Sequence, residues 1–156
     1  MARVRVQAED FDVGAEFAAI SGGRTDIGGI GCFVGTVRAS PPGQRPLAAM
    51  TLEQYPGMTQ RALERIAAEA ESRWELMGCT VIHRHGRLDL GANIVLVIAA
   101  SAHRQAALDA TNFLIDWLKT KAPFWKQEHF VDGTDHWVEA KASDDDAAAR
   151  WAATAG

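Results

Sequence analysis

Two clusters of cations lie either side of one stretch of the chain. His103 and Arg104 come first, and Lys119, Lys121 and Lys126 follow. Such residues bind anions and activate amines. A guanidinium fork grips a phosphate or carboxylate at two points, and the backbone N–H groups at a helix start attract an anion on their own. An ammonium that is partly desolvated, or that has a second cation beside it, gives up its proton more readily and becomes a better base or nucleophile.

Each cluster also has a plainer explanation. Arg104 sits where a helix would begin, and a cation there opposes the helix dipole. That oddity fits an anion pocket, and it fits equally an Arg paired with an acid or left in water. Lys119 and Lys121 fall in the last helical turn, where the dipole favours cations without any chemistry. Lys126 is different. If residues 124–130 form a strand, Phe124, Lys126, Glu128 and Phe130 share one face, so two phenyl rings flank the amine. Their burial lowers its proton affinity and Glu128 raises it.

Other candidates are weaker. Arg38 ends a strand-like stretch just before the loop ASPPGQRP, a common place for a ligand contact and equally for a solvated Arg. His83 and His85 are spaced to share a strand face, but no third ligand stands at metal-binding spacing. Cys32 and Cys79 are far apart, each inside an apolar stretch, and read as buried thiols rather than as a disulfide or zinc pair. The glycines at 28, 29, 31 and 35 do not have dinucleotide-loop spacing and no phosphate-loop lysine follows. Within a strand they mark close approach of a backbone or ligand.

The elements that must position these groups follow from periodicity. Residues 94–100 form an apolar run too short to span a membrane and suited to a buried strand. Ala106, Ala107, Ala110, Phe113, Leu114, Trp117 and Leu118 then recur at helical spacing, with Ser101 as N-cap. Pro123 ends that helix near Lys121. Strands are predicted at 3–7, 28–38, 47–54, 79–85, 124–130 and 136–140, and helices at 14–20 and 58–74, the latter broken by Gly78. Gly86 to Gly91 reads as a connection. Ser143 followed by three Asp residues and an Ala-rich run predicts a tail helix. Strands and amphipathic helices in this order imply an α+β or α/β domain with helices packed on a mixed sheet.

Composition sets outer bounds. The 156 residues suffice for one cored domain, and a net charge of −4 argues against general nucleic-acid binding. A basic pocket on an acidic chain is then a local feature. There is no membrane-length apolar run and no signal-peptide pattern at Met1 to Val6, which leads to a cytoplasmic expectation.

Several segments together carry a resemblance. They are FVGTVR at 33–38, LE at 52–53 with YPGM at 55–58, VIHR at 81–84, SAHR at 101–104, LKTKAPFWK at 118–126 and WVEA at 137–140. In this order they resemble the large, catalytic subunit family of molybdopterin synthases. The pairing of SAHR with LKTKAPFWK across one helix is the most specific part. The resemblance implies an α+β, hammerhead-like domain over residues 1–140, its amphipathic helices packed on a mixed, mostly antiparallel sheet, with an acidic, Ala-rich tail over 141–156. It implies sulfur transfer to a cyclic pyranopterin phosphate, forming the molybdopterin dithiolene. The sulfur comes from the C-terminal thiocarboxylate of a small ubiquitin-like subunit. Two large subunits form a dimer inside a heterotetramer, and no cofactor or metal is bound. By motif position, Lys119 and Lys126 would be catalytic. Arg38, His103 and Arg104 would hold the precursor, joined by Thr36, Val37, Gln127 and Glu128. A glycine-rich strand beside the pocket would suit an extended peptide tail.

The chain departs from the family pattern at Gln54, His85 and Arg87. Three rivals stand beside the sulfurtransferase reading. A docking module for a Gly-Gly tail need not keep both lysines. An unrelated phosphate enzyme would need no thiocarboxylated partner. A His83/His85 metal protein would show metal lost on chelation.

Overall fold

A computed structural model describes residues 2–138 together with Ala149 and Trp151. The elements run β1 (Arg3–Gln7), α1 (Val13–Ser21), β2 (Gly29–Thr36), β3 (Leu47–Gln54), α2 (Met58–Trp74), β4 (Gly78–Arg84), β5 (Gly86–Asp89), β6 (Asn93–Ser101), α3 (Arg104–Thr120), β7 (Phe124–Phe130) and β8 (Asp135–Val138). They form an α+β arrangement of two four-stranded sheets. The first has the order β1-β4-β6-β2 and the second β5-β3-β7-β8. Only β1 and β4 pair in parallel.

The apolar run of β6 takes an inner position, paired with β4 and β2, and Ile94 to Ser101 are all buried. A strand covered on both faces has no reason to alternate. One face carries Val81, Val95 and Val97, which pack with Leu63, Ile66 and Ala70 of α2 and Phe113, Leu114 and Leu118 of α3. The opposite face carries Ile82, Leu96 and Ile98, packed with Phe11 and with Ile20 of α1. Asp12 caps α1 by accepting the Ala15 N–H at 3.0 Å.

Local details differ from the sequence expectations. Glu75, in the left-handed conformation at φ 50°, ends α2, so Gly78 is free to begin β4. The stretch after Gly86 is a strand, β5, hydrogen-bonded to β3, where a connection was expected. Four residues with one inward apolar side chain, Leu88, are too short a signal for alternation. Ser101 closes β6, and His103 is the N-cap of α3 without a side-chain cap bond. Cys79 is buried as expected, but Cys32 is exposed, because β2 is an edge strand. Burial pushes the Cys79 thiol up to about 12.

The glycines at the start of β2 make room for α3, whereas Gly35, near its end, lines the pocket described below. A Cβ at Gly31 would stand 2.4 Å from the Thr111 hydroxyl and 2.7 Å from the Ala107 carbonyl of α3. At Gly28 it would meet the Ala102 carbonyl at 1.9 Å. The strand therefore lies directly against α3 and its leading loop. The WVEA strand extends to Val138, while Glu139, Ala140 and the expected tail helix from Ser143 lie outside the described residues. Trp151 lies edge-on to Trp74 and Phe113 and donates its indole N–H to Asp116.

Candidate functional site

The short turn at 121–123 decides where the amines go. Lys119 lies in the last turn of α3, and Lys126 is the third residue of β7. The helix is closed by the Lys121 and Ala122 N–H groups, both donating to the Trp117 carbonyl. Phe124 N–H then donates to the Ala122 carbonyl at 2.7 Å, a tight turn about Pro123 that starts the strand. The chain thus doubles back and sets both lysines in the wall of one pocket.

That pocket has a volume of about 570 Å³ and lies between the end of β2, the end of α3 and the second sheet. Thr36, Arg38, Lys119, Lys126 and Glu128 supply its polar groups. Leu47, Met50, Ile94, Phe33 and Val138 supply an apolar wall. Three cations therefore face one carboxylate, a positive cleft on a chain of net charge −4. Low-dielectric walls concentrate such a field, which favours an anionic substrate. Lys126 is half-buried and Lys119 and Arg38 are exposed. β7 pairs with β3 through Lys126↔Leu52 and Met50↔Glu128, which explains why Lys126 and Glu128 look the same way.

Four other predicted residues lie elsewhere. Val37 is 2 % exposed and belongs to the core; its N–H donates to the Ala92 carbonyl and its carbonyl accepts from Gly91. Gln127 points to the opposite face of β7 from Lys126, opposite Thr51 and Trp137. His103 and Arg104 are exposed at the far end of α3. At about 1.5 Å per residue, Arg104 is about 22 Å along the helix from Lys119. One chain therefore does not bring its two cation clusters together.

His83 and His85 are not a ligand pair. His83 is buried, and its ring stacks on Phe124 with centroids 3.8 Å apart and planes 19° from parallel. Its Nδ1–H donates to the Arg84 carbonyl at 2.8 Å. Burial, with help from the charges of Lys126 and Lys119, lowers its pKa to about 4, so the ring is neutral. His85 falls after β4, between the strands. Among the described residues, no group of three or more His, Cys, Asp or Glu side chains could hold a metal.

Sequence reasoning missed the apolar wall and the support beneath the turn. Thr59, fully buried, accepts the Tyr55 N–H at 3.0 Å and donates to the Pro123 carbonyl at 3.1 Å. Neither Thr59 nor His83 carries a local signal for this, because their partners come from distant segments. The departures Gln54, His85 and Arg87 do not line the pocket. Arg87 faces Asp89 at 3.9 Å on β5.

Comparison with known proteins bears on this site. Residues 6–121 match the family model described as MoaE protein. The molybdopterin synthase catalytic subunit of Mesorhizobium japonicum is 57 % identical over 149 residues, covering 95 % of this chain and 92 % of the relative. That of Pseudomonas aeruginosa is 51 % identical over 148 residues, covering 95 % and 97 %. The solved MoaE protein of Burkholderia ambifaria superposes with a TM-score of 0.80 at 48 % identity, covering 97 % of this chain and 99 % of that one. The crystal structure of molybdopterin synthase from Staphylococcus aureus gives a TM-score of 0.77 at 25 % identity, covering 86 % and 95 %.

Proposed function

The chain belongs to the MoaE protein family, and from that premise we propose that it is the catalytic subunit of a molybdopterin synthase. It transfers sulfur from the C-terminal thiocarboxylate of a small ubiquitin-like subunit to a cyclic pyranopterin phosphate. The observation that carries this reading is the meeting of Lys119, Lys126 and Arg38 in one positive pocket.

Each group has a part that follows from its chemistry. Arg38 offers a fork for the phosphate, and the field of the cleft draws both the phosphate and the anionic tail. Lys119, exposed in the last turn of α3, receives the tail's terminal carboxyl once sulfur has left it. Lys126, backed by apolar groups, holds substrate or moves a proton, with Glu128 on the same face of β7. Thr36 adds a hydroxyl at the rim. The pterin is substrate and the partner supplies the sulfur, so the reading calls for no resident cofactor or metal. It also leaves no carrier role for Cys32 or Cys79.

The position of His103 and Arg104 supports a dimer. Being about 22 Å from Lys119 along α3, they reach a pocket like this one only from a second copy of the chain. In the homodimer, each pocket then adds the N-terminal end of the neighbouring subunit's α3 to its own Arg38, and one small subunit docks at each end to give a heterotetramer. No helix among the described residues is long and apolar enough to cross a membrane; a cytoplasmic location is part of the proposal.

The test is single-turnover sulfur transfer. Purified protein is mixed with thiocarboxylated small subunit and pyranopterin precursor, and dithiolene is followed beside a Lys119→Ala control. Product from the wild type alone is expected. Stable binding of the small subunit without product would leave a docking module instead.

A further inference from the structure

The two amines of the pocket sit on different elements, and the turn at 121–123 is all that joins them. Their separation therefore depends on what holds β7 against the rest of the fold at its first residue. There β3 pairs with its backbone, Gln54↔Phe124, and the first sheet adds a contact to its side chain. β4 runs with Cys79, Val81 and His83 on the face that looks toward α2 and α3. His83 is the last of these and is 6 % exposed. Its ring lies flat on Phe124, which opens β7 two residues before Lys126.

An imidazole at this place does something an aliphatic residue cannot. The Nδ1–H bond to the Arg84 carbonyl fixes the plane and the tautomer of the ring. Arg84 is itself pinned, donating to the Ala8 carbonyl after β1 and to the Asn93 carbonyl of β6. Through Arg84, its backbone carbonyl and its guanidinium, the ring is thus tied to β4, to β6 and to the residue after β1, and it presents one flat face to the second sheet. Thr59 holds the preceding carbonyl, that of Pro123, from α2. Phe124 is held by its ring and the residue before it by its backbone.

We propose that His83 is a positioning residue of the sulfur-transfer site: its anchored ring, stacked on Phe124, sets Lys126 at its working distance from Lys119. This rests on the reading of the pocket given above. His83 does not line that pocket, so it acts through Phe124 rather than on the substrate. Displacement of a reacting group by about 1 Å can cost about a hundredfold in rate, which is the scale on which such a support matters.

The experiment compares His83→Ala, His83→Gln and His83→Phe in the complex with thiocarboxylated small subunit. Steady-state turnover is measured, together with NMR spectra of the protein after 13C-methylation of its lysines. The Ala variant should lose about ten- to a hundredfold in kcat, with KM for the precursor changed less than about threefold. The Phe variant, which restores a ring against Phe124, should recover most of the loss, and Gln, a donor without a ring, should not. The Lys119 and Lys126 resonances should move in the Ala variant, while that of Lys121 stays. Equal slowing in Phe and Ala would mean that a ring stacked on Phe124 is not what sets the site, and would overturn the proposal. So would wild-type kcat in the Ala variant. If the Ala variant does not fold, the contrast between Phe and Gln decides, and a faster Gln variant overturns it. If the wild type makes no product, the sulfur-transfer reading fails. The lysine spectra then stand alone, supporting the positioning role if the shifts are selective and refuting it if they are absent.

Discussion

The two ends of α3 carry basic residues in similar number and have opposite surroundings. At the N-terminal end, His103 and Arg104 are exposed, no side chain caps the helix, and the preceding strand has just left the core. At the C-terminal end, the chain turns back within three residues, and the turn is fastened by Thr59 and by the His83–Phe124 stack. Lys119 and Lys126 converge there with Arg38. A cation becomes part of a site when other elements fix it relative to a second group. The C-terminal end meets that condition within one chain. The N-terminal end offers an Arg fork and free helix N–H groups, and meets it only if another subunit brings a pocket to it.

The contrast can be broken most directly at the C-terminal end. Lys119→Ala should lower kcat by about 10²–10⁴-fold, the range for loss of a positioned acid–base or nucleophilic group. Its unfolding midpoint should stay near wild type, since an exposed substitution usually changes stability by under about 0.5 kcal/mol. Comparable turnover in that variant would remove the distinction between the two ends. At the other end, Arg104→Ala should weaken precursor binding by about ten- to a hundredfold, the worth of hydrogen bonds to a charged group. Unchanged precursor affinity, measured by titration, would leave the N-terminal end without a role.

Mixing the two variants sharpens the comparison further. If each pocket is built from the Lys119 end of one subunit and the Arg104 end of another, a mixed dimer holds one intact pocket and one doubly defective pocket. Unfolding and refolding equal amounts together should then restore about a quarter of wild-type turnover. No recovery would place both ends in one chain's site, against the length of α3.

Two smaller effects test the support and the periphery. His83 has a folded pKa of about 4 against 6.5 unfolded. Between those values the unfolded chain binds the proton and the folded chain does not, so stability falls as pH drops through this window. The shift corresponds to about 3 kcal/mol, fully present above pH 6.5 and lost toward pH 4. Urea midpoints across the window should fall more steeply for wild type than for His83→Phe; parallel curves would mean the ring is not buried as described. Arg87→Ala, remote from the pocket and paired only with Asp89 at 3.9 Å among the described contacts, should change neither turnover nor stability beyond about 0.5 kcal/mol. A loss of activity there would extend the site to β5.

Much of the framework was legible from the chain alone. The strand at 47–54 and the helix at 58–74 follow from period, length and breakers, and the structure has them at those bounds. The strand at 124–130 likewise follows, since Pro123 forbids further helix and alternation begins at Phe124. The shared face of Lys126 and Glu128 is a property of any strand. The β5 strand was not legible, because a strand of four residues with one inward side chain has too little pattern. The glycines around β2 announced a close approach without saying of what; α3 proved to be the neighbour of Gly29 and Gly31, and the pocket that of Gly35.

What the sequence determined by itself was therefore local: which residues form each element, which way their side chains alternate, and that cations gather at both ends of one helix. Periodicity, proline geometry and the helix dipole act over a few residues, so those outcomes need no knowledge of the rest of the chain. The tertiary structure alone decided that Arg38 joins Lys119 and Lys126, that Val37 and Gln127 turn away, and that His83 stacks under Phe124 rather than binding metal with His85. Those are contacts between segments distant in sequence. They are settled by how the two sheets bury their apolar faces together, an energy that belongs to the whole fold and to no single stretch of it.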